Sequence, residues 1–229
     1  GGYFQNLSIG STSYYGEIPD NDDLHVQELT LEAWINPKDD WEPVHDHINI
    51  VSKAYNSQSQ PYYSFYLKIT RDLKIVFGVG ADNPYQECAV SSLNDIPTGE
   101  WTHVAGTFKV GGSFNTAVTK VYINQELDNS STHGDFSSRD IVYNSNPVRI
   151  ANYEYRGHLD FQGKIDQVGM YDYPKKFHPE IARLEFEEGS GIIANDWTRF
   201  ENDGDLEGNA QFTTDGSGKY GDCVDLSSD

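Results

Sequence analysis

The chain has few basic residues, little sulfur and no long apolar run. Sixteen Lys and Arg oppose 36 Asp and Glu, which gives a net charge of −20 over 229 residues. Such a surface repels phosphate backbones, so the composition argues against nucleic acid as a partner. No apolar stretch approaches the roughly 18 residues that a transmembrane helix needs, and the sequence predicts no membrane span.

Two cysteines, Cys88 and Cys223, are too few for a disulfide framework but enough for one bond. The alternatives are a bond within the chain, a bond between chains, or two unpaired buried thiols. Two N-x-S/T triplets, at Asn6 and Asn129, are candidate glycosylation sites if the protein is secreted.

Aromatic residues are abundant, with 15 Tyr and 11 Phe, which favours β-sheet. Residues 29–37, LTLEAWINP, alternate apolar and polar positions with the period of a strand. Further segments of strand character follow: INIVSKA, YYSFYLKI, LKIVFGVG, QECAVSS, WTHVAGTFK, KVYINQEL, PVRIANY and GKIDQVGMYD. Many short strands separated by turns predict an all-β, two-sheet antiparallel sandwich or jelly roll. Residues 173–185 have helical spacing, but Pro174 and Pro179 limit them to one or two turns.

The motifs LTLEAWINP, GEWTHVAGTF, VYINQEL and FQGKIDQVGMYD occur in an order that resembles the LamG-like jelly-roll family, of the concanavalin A-like lectin and glucanase type. The resemblance covers residues 14–172 and implies a concanavalin A-like sandwich. Gln125 stands where the family usually has Gly, which makes that hairpin turn less favourable.

Family members normally begin with a segment that is missing before Gly1 here and that appears instead as LEFEEGSG to GKYGDCVDLSSD at the other end. We therefore predict a sandwich body, residues 1–182, that lacks its opening segment, and a C-terminal segment, residues 183–229, that completes a sandwich. Three explanations are open: a cut through a tandem array, circular permutation, or exchange between chains. We favour exchange, which adds a strand to the next subunit and builds a filament or a ring.

The sequence predicts no catalytic activity. A retaining glucanase on this kind of sandwich needs two acids on one strand face. Glu185, Glu187 and Glu188 lack the required spacing and belong, by the resemblance, to the opening strand. The pair His45 and His47 is a candidate for transition-metal binding, although a solvated loop is the favoured explanation.

Calcium is the predicted cofactor, in a structural role, because clustered carboxylate and amide oxygens suit this cation. By the resemblance, such an ion lies near the opening segment and receives a ligand from the closing strand, here Asp166. Turn formation alone also accounts for these acidic clusters. The candidate ligands are Asp20, Asp22, Asp23, Asp166, Asp196, Asn202 and Asp203.

The sequence therefore predicts a non-catalytic, extracellular structural or adhesive protein whose partners are copies of itself. The alternative is a lectin-like, carbohydrate-binding module of a larger secreted protein, with cell-surface glycans as partners. Jelly-roll modules often present aromatic platforms to sugars, and five aromatics near loops are candidates: Trp41, Tyr62, Tyr63, Tyr153 and Tyr155.

Overall fold

The chain divides into two compact units, Gly1–Phe177 and His178–Asp229. The structure is a computed structural model. It describes residues 4–5, 15–43, 45–54, 61–81, 85–111, 116–134, 140–151, 161–177, 184, 188, 190–195, 203–207, 210–213 and 224–225.

The first unit contains two antiparallel sheets of six strands each. In spatial order, the first sheet contains β1 (Phe4–Gln5), β12 (Gly163–Tyr171), β3 (Leu29–Pro37), β8 (Thr102–Val110), β9 (Ala117–Ile123) and β10 (Glu126–His133). The second sheet contains β2 (Gly16–Ile18), β11 (Val148–Ile150), β4 (His47–Ala54), β5 (Tyr63–Thr70), β6 (Ile75–Ala81) and β7 (Gln86–Ser91). This arrangement confirms the predicted all-β sandwich.

The core lies between the two sheets and follows the alternation in the sequence. Leu29, Leu31, Ala33 and Ile35 of β3 are fully buried, as the period-two pattern predicts. The other sheet contributes large side chains from β5 and β6, among them Phe65 and Phe77. The core therefore consists of the two inward faces of a sandwich.

Strand β10 is longer than the sequence pattern suggests. It continues to His133 through a polar stretch, pairing with β9 along its length with a bulge between Leu127 and Asn129. Edge strands need only one half-buried face, so a polar sequence is compatible with this position. A two-residue turn, Asn124 and Gln125, joins β9 to β10.

The predicted short helix over residues 173–185 is not seen in the part that the structure describes. Residues 173–177 follow β12 as a segment without regular structure, and residues 178–183 lie outside the described residues. A single 3-10 turn, Asp22–Leu24, occurs among the described residues. None of the described residues form a helix with the length and hydropathy needed to cross a bilayer.

The second unit contains two short antiparallel ladders in its described part. Strand β13 (Ile193–Ala194) pairs with β14 (Gly204–Asp205), and β15 (Gln211–Phe212) pairs with β16 (Val224–Asp225). Phe212 and Val224 are direct partners in the second ladder.

Candidate functional site

The outer face of the second sheet carries a cluster of tyrosines. Phe65 and Leu67 of β5 point into the core, so the alternating positions Tyr66 and Lys68 belong to the opposite face. On β6 the corresponding outward positions include Gly78 and Gly80, because the intervening Val79 is a core residue. A strand with glycines at its outward positions leaves room for large rings above it.

The tyrosine rings occupy that room. A Cβ atom built on Gly78 would lie 2.3 Å from Cζ of Tyr66, and one built on Gly80 would lie 2.3 Å from Cε2 of Tyr85. The rings therefore lie directly on the backbone of β6, which only glycine permits. We call the four residues Tyr62, Tyr63, Tyr66 and Tyr85 the tyrosine platform.

Ring contacts hold the tyrosine platform together. The ring centroids of Tyr63 and Tyr66 are 4.8 Å apart at an angle of 66°. Those of Tyr62 and Tyr85 are 6.4 Å apart and almost perpendicular, at 89°. Edge-to-face pairs at such distances are favourable beyond the area they bury. Tyr66 is fully buried, whereas Tyr62 and Tyr85 are half-buried and present ring surface to solvent.

Charged side chains stand over the platform. The Tyr66 hydroxyl donates a hydrogen bond to Oε1 of Glu87, which is an exposed residue. Burial, reinforced by the Glu87 charge, raises the pKa of Tyr66, so the phenol remains a donor at physiological pH. The ammonium of Lys68 lies 4.1 Å from the centroid of the Tyr66 ring, in cation–π geometry. Burial lowers the pKa of Lys68, while the charge of Glu87 opposes this shift.

His47, at the start of β4, is a neutral hydrogen-bonding group on the same face. It pairs with Thr70 of β5, and the next residue, Ile48, points into the core. Burial, together with the charge of Lys68, lowers the pKa of His47 to about 4. The imidazole is therefore uncharged near neutral pH and offers one donor and one acceptor nitrogen.

This arrangement is suited to holding a polar ligand that has an apolar face. Half-buried aromatic rings supply contact area, and a few polar groups around them fix orientation. Sugar rings have both properties. Of the residues involved, the sequence pointed to Tyr62, Tyr63 and His47, the last only as part of a metal pair. Tyr66, Lys68, Tyr85 and Glu87 were missed, although the outward glycines in the segment FGVG were a usable signal.

The structure shows where the first group of predicted calcium ligands lies. Asp20 accepts hydrogen bonds from the ammonium of Lys53, which is fully buried, and from Nε2 of His25 at 3.0 Å. The bond from Lys53 lowers the pKa of Asp20 below its ordinary value. Asp22 and Asp23 lie nearby in the 3-10 turn and are exposed. The charge of Asp20 is thus already neutralised within the protein.

The remaining predicted ligands are separate. Asp166 lies in β12, where its Oδ1 accepts from the backbone N–H of Gln167 at 2.8 Å. Asp203 is exposed in the second unit, and Asp196 and Asn202 lie outside the described residues. Within the described part of the chain, no group of three or more His, Cys, Asp or Glu side chains is arranged to hold a metal ion. Calcium binding stays a prediction.

Other predicted positions have defined surroundings. Cys88 is buried in β7, while Cys223 lies outside the described residues, so their pairing stays open. The side-chain amide of Asn129 donates to the carbonyl of Ser91 at 2.9 Å, and Asn6 lies outside the described residues. Glycosylation at either position stays a prediction.

Three of the aromatic residues predicted to contact sugar, Trp41, Tyr153 and Tyr155, are not part of the tyrosine platform. Trp41 is not available as a platform, because it is buried with its ring centroid 5.5 Å from that of Phe161. Tyr153 and Tyr155 lie outside the described residues. His103 is buried, and its Nε2 lies 3.3 Å from Oε2 of Glu32.

The two six-stranded antiparallel sheets form a β-sandwich, and comparison with known proteins identifies the superfamily to which this sandwich belongs. A family model described as "Concanavalin A-like lectin/glucanases superfamily" matches residues 10–178. The chain therefore belongs to this superfamily, whose name includes both binding proteins and enzymes. No curated protein matches the chain.

Solved structures show the same fold at low identity. The CBM40 of Ruminococcus gnavus IT-sialidase, bound to alpha2,3 sialyllactose, is 11% identical with a TM-score of 0.53, over 76% of this chain and 92% of that one. A proposed carbohydrate binding protein from Bacteroides ovatus is 18% identical with a TM-score of 0.52, over 92% of this chain and 55% of that one. The native heptameric SAP-like pentraxin from Limulus polyphemus is 16% identical with a TM-score of 0.50, over 76% of each chain.

Proposed function

We propose that the chain is an extracellular, non-catalytic carbohydrate-binding module that holds a saccharide on the tyrosine platform. The observation that carries this proposal is that tyrosine rings contact the backbone of β6 at Gly78 and Gly80. Tyr63 and Tyr66 are buried in the platform, and the half-buried Tyr62 and Tyr85 leave part of their apolar surface accessible among polar groups. Such a surface is complementary to the apolar face of a sugar ring.

Each group has a distinct role in this proposal. Tyr62 and Tyr85, which are half-buried, contact the sugar ring. Glu87 accepts hydrogen bonds from sugar hydroxyls. The hydrogen bond that it accepts from the buried Tyr66 fixes its orientation. Lys68, over the Tyr66 ring, and neutral His47 supply further polar contacts.

The relatives support this function over the structural one predicted first from the sequence. The name of the Ruminococcus gnavus structure records a bound sialylated sugar, and that of the Bacteroides ovatus protein mentions carbohydrate binding. Their identity to this chain is too low to carry over a particular sugar. We expect glycans at cell surfaces as partners. Assembly through a donated C-terminal segment and stabilisation by calcium stay separate predictions.

A glycan array followed by calorimetry tests the proposal. We expect saturable binding of at least one saccharide, weakened about threefold to tenfold by Tyr62→Ala or by Tyr85→Ala, since an aromatic contact contributes about 0.5–1.5 kcal/mol. Trp101→Ala is the control, because Trp101 is an exposed aromatic residue that precedes β8 of the other sheet. Equal losses in the Tyr62 and Trp101 variants would contradict the placement of the site.

A further inference from the structure

A cavity of about 230 Å³ lies on the outer face of the first sheet. The tyrosine platform lies on the second sheet and takes no part in it. Phe108 of β8 and Val121 of β9 point into the core, so the alternating positions on these strands form this outer face. The residues that line the cavity are Thr107, Lys109, Val118, Lys120, Tyr122, Pro174, Lys175 and Lys176.

The segment 173–177, which we call the strap, forms one wall of the cavity and is fixed at several points. The backbone N–H of Lys175 donates to Oγ1 of Thr30 at 2.8 Å, and the Thr30 hydroxyl donates to the carbonyl of Tyr173 at 2.6 Å. The ammonium of Lys175 lies 2.7 and 2.9 Å from the two carboxylate oxygens of Glu32. The wall is therefore built into the fold.

The other three lysines of the cavity have no such partner. Lys109, Lys120 and Lys176 make no ion pair with any residue that the structure describes, and none of the described residues lining the cavity is acidic. Thr107 pairs directly with Lys120, and Lys109 with Val118, so Lys109 and Lys120 are diagonal neighbours on adjacent strands. Like charges this close repel each other.

This local charge is the opposite of the charge of the whole chain. Four of the chain's 16 basic residues line one small cavity, while the net charge is −20. At physiological ionic strength, charges are screened beyond about 8 Å. An anion inside the cavity therefore interacts mainly with its lysines, whereas a long polyanion also meets the acidic surface around them.

The cavity opens to solvent, and its volume indicates the size of the group that it can surround. At roughly 30 Å³ per water molecule, it holds the equivalent of about seven or eight waters, and it is smaller than the roughly 300–1,000 Å³ typical of sites for drug-sized ligands. Tyr122 and Pro174 add apolar surface to the wall. A ligand with one anionic group and a body of about one sugar ring matches both features.

We propose that this cavity binds a monosaccharide-sized oxyanion, with a sulfate, phosphate or carboxylate group between Lys109, Lys120 and Lys176 and its body against Tyr122. Binding offsets the mutual repulsion of lysines that form no ion pair within the described part of the chain. The proposal is independent of the tyrosine platform, which lies on the other sheet.

Calorimetry on the full chain at low ionic strength, with four probes, tests this proposal. The probes are glucose 6-sulfate, glucuronate, inorganic sulfate and uncharged glucose. We expect glucose 6-sulfate or glucuronate to bind more tightly than inorganic sulfate, glucose to give no signal, and affinity to fall as salt rises. Tight binding of inorganic sulfate with no gain from the sugar would overturn the assigned body contact, and no binding of any anion would overturn the site.

Charge-matched variants locate the binding. Lys120→Gln removes one lysine from the cavity and should reduce affinity about tenfold, equivalent to about 1.4 kcal/mol, because a charge-assisted contact is lost. Lys120→Arg should retain binding. Lys38→Gln is the control, since it changes the net charge equally but removes a lysine that pairs with Asp40. Unchanged melting temperatures verify that all variants fold, and equal losses for Lys120→Gln and Lys38→Gln would contradict the proposal.

Discussion

The ring of Tyr66 lies directly over Gly78, its pairing partner on the neighbouring strand. Any Cβ at position 78 would approach Cζ and the hydroxyl oxygen of Tyr66 to 2.3 Å, well inside contact distance. The ring reaches across β6 in this way to place its hydroxyl on Glu87 of β7. One glycine thus determines where an aromatic ring, and through it a carboxylate, is held.

The first prediction concerns this pair. Gly78→Ala should destabilise the protein by about 1–3 kcal/mol, because a methyl group forces the ring off its position. Tyr66→Ala removes the ring, so Gly78→Ala added to that variant should cost less than about 0.5 kcal/mol. Urea unfolding of the four proteins measures the coupling. Additive effects of the two substitutions would show that the ring does not depend on the glycine.

The second prediction concerns acid stability. Burial alone would raise the pKa of Glu32, but hydrogen bonds from His103, Lys175 and Tyr171 outweigh it and lower the pKa from 4.5 to about 2. The native state therefore binds this proton less readily than the unfolded state. Glu32 contributes about 3 kcal/mol of stability above pH 4.5, and this contribution is lost as the pH falls towards 2.

Unfolding of wild type and Glu32→Gln across this range measures the contribution. The variant should be less stable at pH 7, and the difference between the two proteins should shrink between pH 4.5 and 2. Glu100→Gln is the control, because Glu100 is exposed and should behave as wild type. A constant difference between wild type and Glu32→Gln at all pH values would refute the assigned pKa.

The third prediction concerns the turn between β9 and β10. Asn124 and Gln125 both have positive φ, 49° and 65°, as a two-residue hairpin turn of the primed type requires. Gln125→Gly should raise the free energy of unfolding by about 0.5 kcal/mol, since glycine adopts this conformation without the steric cost of a side chain. Gln125→Ala keeps that cost and should give no gain. Thermal unfolding measures both, and a loss of stability in Gln125→Gly would count against the explanation.

The fourth prediction is assembly through the C-terminal segment. Light scattering coupled to size-exclusion chromatography should show species heavier than the 25.8 kDa chain. Deletion of residues 183–229 should leave an unstable body, and the deleted segment added as a peptide should restore it. A single monomer peak at all protein concentrations would rule out this mode of assembly.

The sequence predicts the sandwich because its signal is local. Leu29, Leu31, Ala33 and Ile35 occupy alternate positions, and all four are buried in the strand, as expected. The length of strand β10 was underestimated, because its C-terminal half is polar. An edge position has no apolar pattern for the sequence to reveal.

The site could be predicted only in part, because it depends on pairing between strands. That Tyr66 lies over Gly78 follows from a register that no spacing along the chain displays. Asp20 was predicted as a calcium ligand from its acidic neighbours, yet its strongest partner is Lys53, 33 residues away. With 15 tyrosines in the chain, composition alone does not separate platform residues from core residues.

We have proposed that the outer face of the second sheet binds saccharide. Two-dimensional NMR locates the site residue by residue, with the saccharide selected by the glycan array titrated into the full chain. We expect the largest amide shifts on β5, β6 and β7, around Tyr66, Gly80 and Glu87. Saturable binding with those amides unmoved, and with the shifts elsewhere, would contradict it.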